Sequence, residues 1–406
     1  MEIPLDNVVF ADLHLHSKYS RATSSNLSFE NLVKYAKIKG LNLLGTGDFT
    51  HPIWLNEIKK LKDNGKGFYY FDDFPFIITG EISLIYTQGK GRRIHLAVLV
   101  PNIETAEKIN EYLDTKGRRD YDGRPIFKIT CEEFVKELTS ISKAIEIIPA
   151  HIWTPWFGLF GSKSGFDSLK ECFGSQIENI HAIETGMSSD PKMNWNISEL
   201  NNKAVVSFSD SHSFWPFRLG REATIFKKCD SYFEIIEQIR KNTFLGTIET
   251  DPCYGIYHYD GHRNCNFSCS PSKTKELNGI CPICKKPLTL GVEYRVEQLK
   301  DQKPENNPQK KEYYELLPLH EIIALFISSS LQSKSTWSIY NNLIENFTNE
   351  FNILLNVPKE QFSAKNVDGK LIELILKNRQ GRINVKPGYD GVYGVAELGE
   401  KQAKLI

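Results

Sequence analysis

The chain has 406 residues, of which 40% are hydrophobic and 25% are charged, an ordinary composition for a globular protein with a large core. Fifty basic residues balance fifty acidic ones, so total charge does not point to a polyanionic partner. No apolar run approaches the roughly 18 residues of a membrane span, and the first ten residues lack the pattern of a signal peptide. We therefore expect a cytoplasmic protein without membrane contacts.

Residues 1–250 alternate between short apolar runs and amphipathic stretches. Runs such as VVFADLHLH, LNLLGTGDF and AVVSFSDSH favour strands. SFENLVKYAKIKG has helical spacing and ends at Gly40, and TCEEFVKELTSI begins with a capping box formed by Thr130 and Glu133. This alternation predicts an α/β domain with a mainly parallel sheet, and seven or eight strands fit a barrel better than a short open sheet.

The remaining chain changes character twice. Residues 251–300 carry many turn residues and a cluster of four of the eight cysteines, between positions 265 and 284, which indicates a small inserted module. Residues 301–312 are polar, charged and proline-bearing, as in a linker. Between Trp337 and Leu354, aromatic and aliphatic side chains recur every three or four positions, so we expect residues 313–406 to form a helical C-terminal region.

Candidate metal ligands accompany nearly every predicted strand of the first region. Asp12, His14 and His16 alternate with apolar residues, so a strand would place them on one face. Strand ends of a parallel barrel converge on one mouth, where nine ligands would meet. These are His14, His16, Asp48, His51, Glu81, His95, His151, Asp210 and His212. Nine exceed the need of one tetrahedral ion and suit two or three ions bridged by carboxylates.

The alternative, in which no metal binds, is that these histidines are ordinary hydrogen-bonded core residues. Six of the ten histidines in the chain fall in this set, together with three carboxylates, which favours metal binding. Clustered cations lower the pKa of a bound water and neutralise phosphoryl charge, so the site type indicates metal-assisted phosphoester hydrolysis.

In order, DLHLHS, GDFTH, GE, an isolated histidine, PAH and SDSH resemble the PHP (polymerase-and-histidinol-phosphatase) phosphoesterase family over about residues 8–250. The resemblance implies a distorted (β/α)7 barrel that holds two or three zinc, manganese or magnesium ions, with Glu81, Asp210 and His212 as catalytic residues. One departure concerns the second motif, in which the family usually has adjacent Asp and His. Here Phe49 and Thr50 separate Asp48 from His51.

A second cluster lies in HYDGHRNCNFSCSPSKTKELNGICPICKKPL. Its two pairs have the same two-residue gap and predict one closed structural zinc site with the ligands His262, Cys265, Cys281 and Cys284. His258 and Cys269 are alternatives for one of these ligands. The alternative to a zinc site is that the four cysteines are free thiols that lie close together by chance.

The last stretch combines cations with tyrosines between glycines. A basic segment with interleaved aromatic residues can follow phosphates and stack bases. We therefore assign DNA contacts to five residues, which are Arg379, Arg382, Lys386, Tyr389 and Tyr393. The alternative is a solvated helix followed by a tight turn.

ETGMSSDPKMNW, GREATIF, YHYDGHRNC, CPICKKPLTLGVEYRV, LPLHEIIA and PGYDGVYG resemble the endonuclease Q family over nearly the whole chain. This implies a nucleoid-associated DNA-repair enzyme that cuts 5′ to uracil, hypoxanthine, xanthine or an abasic site. The implied partners are damaged DNA and replication or repair proteins, and the oligomeric state stays open. Asp190 and Trp195 are base-pocket candidates by position, since they precede the last ligand strand.

Two alternatives come from other functional classes. A phosphatase for a small phosphate monoester could use the same barrel, but it would need neither a zinc module nor a basic tail. A nucleic-acid-binding protein without catalysis should lack metal ligands, and none of the nine is missing.

Overall fold

The structure is a computed structural model that describes residues 7–400. Residues 1–6 and 401–406, which belong to the predicted first and last regions, lie outside the described residues. The strands are β1 (Val8–Asp12), β2 (Leu43–Gly45), β3 (Lys62–Asp63), β4 (Tyr69–Phe71), β5 (Phe74–Gln88), β6 (Lys90–Val100), β7 (Ile126–Phe127), β8 (Glu146–Pro149), β9 (Ala182–Glu184), β10 (Ala204–Val206), β11 (Ala223–Lys227), β12 (Gly246–Glu249), β13 (Asp260–His262), β14 (Phe267–Cys269), β15 (Glu312–Glu315), β16 (Ile383–Lys386) and β17 (Val395–Glu400).

The helices are α1 (Phe29–Lys39), α2 (Pro52–Ile58), α3 (Ile103–Asp114), α4 (Cys131–Ile141), α5 (Leu169–Phe173), α6 (Pro191–Asn194), α7 (Tyr232–Arg240), α8 (Pro271–Glu276), α9 (Val292–Leu299), α10 (Leu319–Ile327), α11 (Lys334–Phe347), α12 (Glu350–Leu355), α13 (Lys359–Ala364) and α14 (Gly369–Arg379). Within residues 7–400, no helix has both the length and the apolar character needed to cross a bilayer. The predicted cap at Gly40 is confirmed, since Gly40 ends α1 at φ 99°. Of the predicted capping box, Thr130 accepts a hydrogen bond from the Glu133 N–H, but the Glu133 carboxylate accepts from Lys116 Nζ at 2.8 Å.

Eleven strands form one mixed sheet. Its main order is β15-β12-β11-β1-β2-β5-β4-β3, with β6 and β7 paired to β5, and β8 paired to β6. β1, β2 and β5 run parallel, but β11 is antiparallel to β1, and the long strands β5 and β6 are antiparallel over eleven residue pairs. The expectation of a mainly parallel sheet is therefore wrong. Gly89, at φ 72°, joins β5 directly to β6, and a turn without a crossover helix permits only antiparallel pairing.

Helices α10–α14 form the C-terminal region, which also contains the antiparallel β16–β17 pair that the sequence did not predict. The stretch predicted as a linker packs on the first region, because β15 begins at its end and pairs parallel with β12. The buried Glu350 carboxylate joins the two parts, accepting hydrogen bonds from Lys39 Nζ at 2.6 Å and Tyr340 OH at 2.8 Å. Removing one partner of such a buried pair typically costs about 3–5 kcal/mol.

Candidate metal centres

Two groups of side chains, which we call the imidazole–carboxylate groups, share the Glu81 carboxylate. In the first, Glu81 Oε2 lies 3.6 Å from His14 Nε2 and 3.2 Å from His16 Nε2. Asp210 Oδ1 lies 3.7 Å and 2.9 Å from the same two nitrogens. These four ligand atoms all lie within 4.8 Å of one another, so one cation could contact two imidazoles and two carboxylates.

The second group uses the other Glu81 oxygen. Glu81 Oε1 lies 2.7 Å from His95 Nδ1 and 3.2 Å from His151 Nε2, and these two nitrogens are 3.3 Å apart. Glu81 and His95 stand on the adjacent strands β5 and β6, where His95 pairs with Ser83 and Glu81 is its diagonal neighbour. One carboxylate thus presents one oxygen to each group, as a bridge between two ions would require.

Burial and charge in these groups fit cations. His14 Nε2 is buried without a hydrogen-bond partner, and a buried polar atom of this kind calls for a ligand. Burial would raise the pKa of Glu81, but His95 and Arg124 bring it well below its usual range. Burial likewise opposes ionisation of Asp210, yet the hydrogen bond with His16 lowers its pKa. Both carboxylates are therefore ionised and able to bind a cation.

Asp48, His51 and His212 lie outside both groups, although the sequence predicted them as ligands. Asp48 Oδ1 lies 3.0 Å from His16 Nδ1, so Asp48 orients an imidazole instead of completing a group. His212 Nδ1 contacts the Asp210 carbonyl at 3.0 Å, and its ring lies 4.2 Å from the His16 ring. The two residues between Asp48 and His51 place His51 at the start of α2, where it stacks on Tyr19 at 4.4 Å.

Three site residues adopt backbone conformations that side chains rarely take. Asp48, His151 and Asp210 have φ values of 46°, 31° and 49°, in the left-handed region that favours glycine. Such strain persists only where the surroundings impose it, and it is concentrated at functional sites. Residue type and spacing gave no sign of it.

Glu184 is a site residue that sequence reasoning missed. Its carboxylate accepts hydrogen bonds from His14 Nδ1 at 2.9 Å and from the His151 backbone N–H at 2.7 Å, so it orients a residue of each group. Its position at the end of β9, like the predicted ligands at their strands, was a usable signal. Asp12 instead accepts hydrogen bonds from the Ser209 and Gly220 N–H groups, and burial raises its pKa to about 6.

The structure brings the predicted Cys/His quartet together. The ligand atoms of His262, Cys265, Cys281 and Cys284 all lie within 4.8 Å of one another. His262 Nδ1 is 3.1 Å from Cys265 Sγ and 3.4 Å from Cys284 Sγ. The two alternatives are not in this group, since Cys269 Sγ lies 3.3 Å from Thr274 Oγ1 and His258 stacks on Tyr259. Three sulfurs and one imidazole nitrogen form a donor set typical of structural zinc.

Comparisons with other proteins cover different parts of the chain. Residues 318–382 match the family model of the MJ0043 C-terminal domain. The chain is 31% identical over 284 residues to the uncharacterized protein MJ0043 of Methanocaldococcus jannaschii, a match covering 68% of this chain. The match spans only 34% of that relative's length. The uncharacterized protein YqxK of Bacillus subtilis (strain 168) is 25% identical over 408 residues, covering 95% of this chain and 98% of YqxK.

A solved structure decides the family. The lesion-specific endonuclease PfuEndoQ from Pyrococcus furiosus is 30% identical, with a TM-score of 0.86 and 98% coverage of both chains. This chain belongs to the endonuclease Q family. A second endonuclease Q structure, in complex with a 27-mer duplex substrate with an abasic lesion at the active site, has the same identity and TM-score. It covers 98% of this chain and 100% of that one. The predicted resemblance is thus confirmed, and the chain is an endonuclease.

Three of the residues to which we assigned DNA contacts, Arg382, Lys386 and Tyr393, are exposed. The structure corrects the other two. Arg379 donates hydrogen bonds to the carbonyls of Ile353, Leu354 and Val357, so its guanidinium caps the end of α12. Tyr389 is buried, and its hydroxyl donates to Asn266 Oδ1 at 2.7 Å. It therefore attaches the tail to the segment that contains the quartet (residues 251–300, the Cys/His module) instead of stacking on a base.

The two base-pocket candidates have structural contacts. Asp190 caps α6 by accepting from the Met193 N–H, and Trp195 is 9% exposed and packs edge-on against Tyr313 at 5.9 Å. An open groove of about 480 Å³ lies elsewhere. Its lining comes from segments that follow His16 and His212, and comprises Lys18, Ser25, Asn26, Leu27, Ser28, Asn31, Tyr35, Phe214 and Trp215.

Proposed function

We propose that this chain is a DNA-repair endonuclease that hydrolyses the phosphodiester 5′ to a deaminated base or an abasic site. The observation that carries the proposal is the pair of ligand groups that share the buried Glu81 carboxylate, since a site that could hold two ions suits phosphoester hydrolysis. The abasic duplex at the active site of a family member supports damaged DNA as the substrate.

Each group would hold one divalent ion, zinc or manganese by donor type, because magnesium prefers oxygen ligands. When bound, such ions supply an activated water and neutralise charge on phosphoryl oxygens. The protein's part is to fix the ligands: Glu184 orients His14 and Asp48 orients His16 through their Nδ1 atoms, which turns each Nε2 toward Glu81. His212, beside Asp210 and His16, stays a proposed third-ion or catalytic residue.

The Cys/His quartet would hold one zinc ion with all four positions taken by protein, so its role is structural. Tyr389 links this module to the exposed tail cations, which supports a DNA-binding surface formed by both. We place Arg382, Lys386 and Tyr393 on that surface.

Recognition of deaminated bases follows from hydrogen bonding. The enzyme would take the base out of the stack, because its edges are not all accessible in a duplex. Deamination replaces an amine donor by a carbonyl acceptor, so a fixed donor in the pocket pairs with uracil or hypoxanthine. Against cytosine or adenine the same donor stays unpaired, at a cost of about 1–3 kcal/mol.

The test uses end-labelled duplexes that carry one uracil, hypoxanthine or abasic site, incubated with and without added manganese. We expect an upstream strand ending in a 3′-hydroxyl and a damaged nucleotide carrying a 5′-phosphate with its base retained. An undamaged duplex of the same sequence is the control. Free uracil beside an uncut strand, or turnover of p-nitrophenyl phosphate without any strand cleavage, would overturn the proposal.

A further inference from the structure

Arg124 stands at the edge of the imidazole–carboxylate groups. Its Nη1 donates a hydrogen bond to Glu81 Oε2 at 2.9 Å. The Glu81 side chain is fully buried, whereas 27% of the Arg124 side chain is exposed. The guanidinium therefore lies between the Glu81 carboxylate and solvent, on the side from which a substrate could approach.

The loop on either side fixes Arg124 in place. The Gly123 N–H donates to the Tyr19 carbonyl at 3.1 Å, and the Ser83 N–H donates to the Pro125 carbonyl at 3.0 Å. A Cβ at Gly123 would lie 2.1 Å from Asp48 Oδ2, so only glycine lets the loop approach so closely. Because both neighbours are fixed, Arg124 is pre-organised, as a group that stabilises a transition state must be.

A permanent positive charge at this point works against cation binding, because it competes for Glu81 and repels any ion held there. The charge is useful if an anion also binds. Among residues 7–400, Glu81 is the only hydrogen-bond partner of the Arg124 guanidinium, which has five N–H donors. The neighbouring arginines of the loop are committed elsewhere, Arg119 to Asp114 and the Thr50 carbonyl, and Arg118 to Asp120.

We propose that Arg124 binds a non-bridging oxygen of the scissile phosphate, an inference that rests on the endonuclease function proposed above. The planar guanidinium is suited to paired hydrogen bonds with phosphate. Arg124 keeps its proton throughout and transfers none. Its contribution is to neutralise charge that develops on the phosphoryl oxygens as the bond to the leaving oxygen breaks.

The test measures binding without turnover. Metal-loaded protein is titrated with two nicked abasic duplexes that differ only in a 5′-phosphate or a 5′-hydroxyl on the abasic nucleotide. We expect the wild type to prefer the 5′-phosphate about tenfold, and Arg124→Gln to lose that preference while binding the 5′-hydroxyl duplex like wild type. Single-turnover cleavage should fall about 100-fold in Arg124→Gln.

Arg124→Lys keeps the charge but not the paired N–H donors of the planar guanidinium, so it should restore part of both effects. Arg118→Gln, on the same loop, is the control and should match wild type. Metal content and melting temperature are measured for every variant. An unchanged 5′-phosphate preference in Arg124→Gln, or loss of metal in both Arg124 variants, would overturn the inference. Failure of the wild type to cut damaged DNA would instead overturn the proposed function.

Discussion

The Cys/His quartet and the imidazole–carboxylate groups are assembled in opposite ways. The quartet lies within one short segment, from His262 to Cys284, and its ligand pairs come from a β-hairpin and a tight knuckle. The imidazole–carboxylate groups draw on strands and loops from His14 to Asp210, and the contact between His16 and Asp210 spans 194 positions.

This difference indicates how far each cluster is held together by the surrounding fold and how far by a bound ion. The imidazole–carboxylate groups lie in a large sheet with an extensive apolar core, so the fold does not need an ion to hold them together. The quartet lies in a small module with few buried apolar side chains, so we expect the folding of this module to depend on a bound ion. Loss of the first should remove chemistry and leave structure, and loss of the second should remove local structure.

The largest expected effect tests the first half of this comparison. Asp210→Ala or His14→Ala should lower cleavage of an abasic duplex by about a thousandfold, because each removes a proposed ligand of the first group. Binding of the same duplex should stay close to wild type, since affinity comes mostly from phosphate contacts elsewhere. Cleavage assays and fluorescence anisotropy check the two parts, and wild-type cleavage in either variant would refute the assignment.

The next effect tests the other half. Cys281→Ser together with Cys284→Ser should release one zinc equivalent and unfold the region near residues 255–295, because structural zinc contributes folding free energy directly. Elemental analysis and hydrogen exchange measure the two changes. Cys229→Ser, at a cysteine outside the quartet, is the matched control. Unchanged zinc content in the double variant would mean that the quartet is not a zinc site.

A smaller effect sharpens the comparison at the level of ligand orientation. Glu184→Gln keeps the shape of the side chain but removes the charge that His14 and the His151 N–H contact. We expect metal affinity or cleavage to fall about 10-fold to 100-fold, as for other residues that orient ligands. Metal titration followed by cleavage assays gives the result, with the exposed Glu360→Gln as control. A loss as large as that of Asp210→Ala would make Glu184 a ligand.

The smallest effect concerns two kinds of basic residue in the C-terminal region, exposed ones and one that contacts backbone carbonyls. Arg382→Gln with Lys386→Gln should weaken binding to damaged and undamaged DNA alike and reduce the salt slope by about one unit per lost phosphate contact. Arg379→Gln should lower the melting temperature and leave the slope unchanged, because its donors cap α12. Affinity across a salt series, with thermal unfolding, distinguishes the two. Equal slopes in all three proteins would remove the tail from the DNA surface.

The sequence by itself determined the features that depend on local spacing. The knuckle spacing led to all four quartet residues, and the alternation of residues 12–16 predicted that His14 and His16 lie together, as they do just beyond the end of β1. Capping residues marked the ends of α1 and α4, and ordered motifs over the chain indicated the endonuclease Q family. These signals are readable because hydrogen bonding and side-chain direction within a segment repeat with a fixed period.

Only the tertiary structure decided which segments meet and which charges stay available. The direct turn at Gly89 made β5 and β6 antiparallel and brought Glu81 beside His95. The path of the loop at Gly123 placed Arg124 against Glu81, whereas helix packing turned Arg379 onto backbone carbonyls. Asp48 and Glu184 are carboxylates like Asp210 and Glu81, and they differ from them only in the atoms they face. The sequence pattern does not specify these differences, because the burial of a side chain and the choice of its partner depend on contacts between residues far apart in sequence.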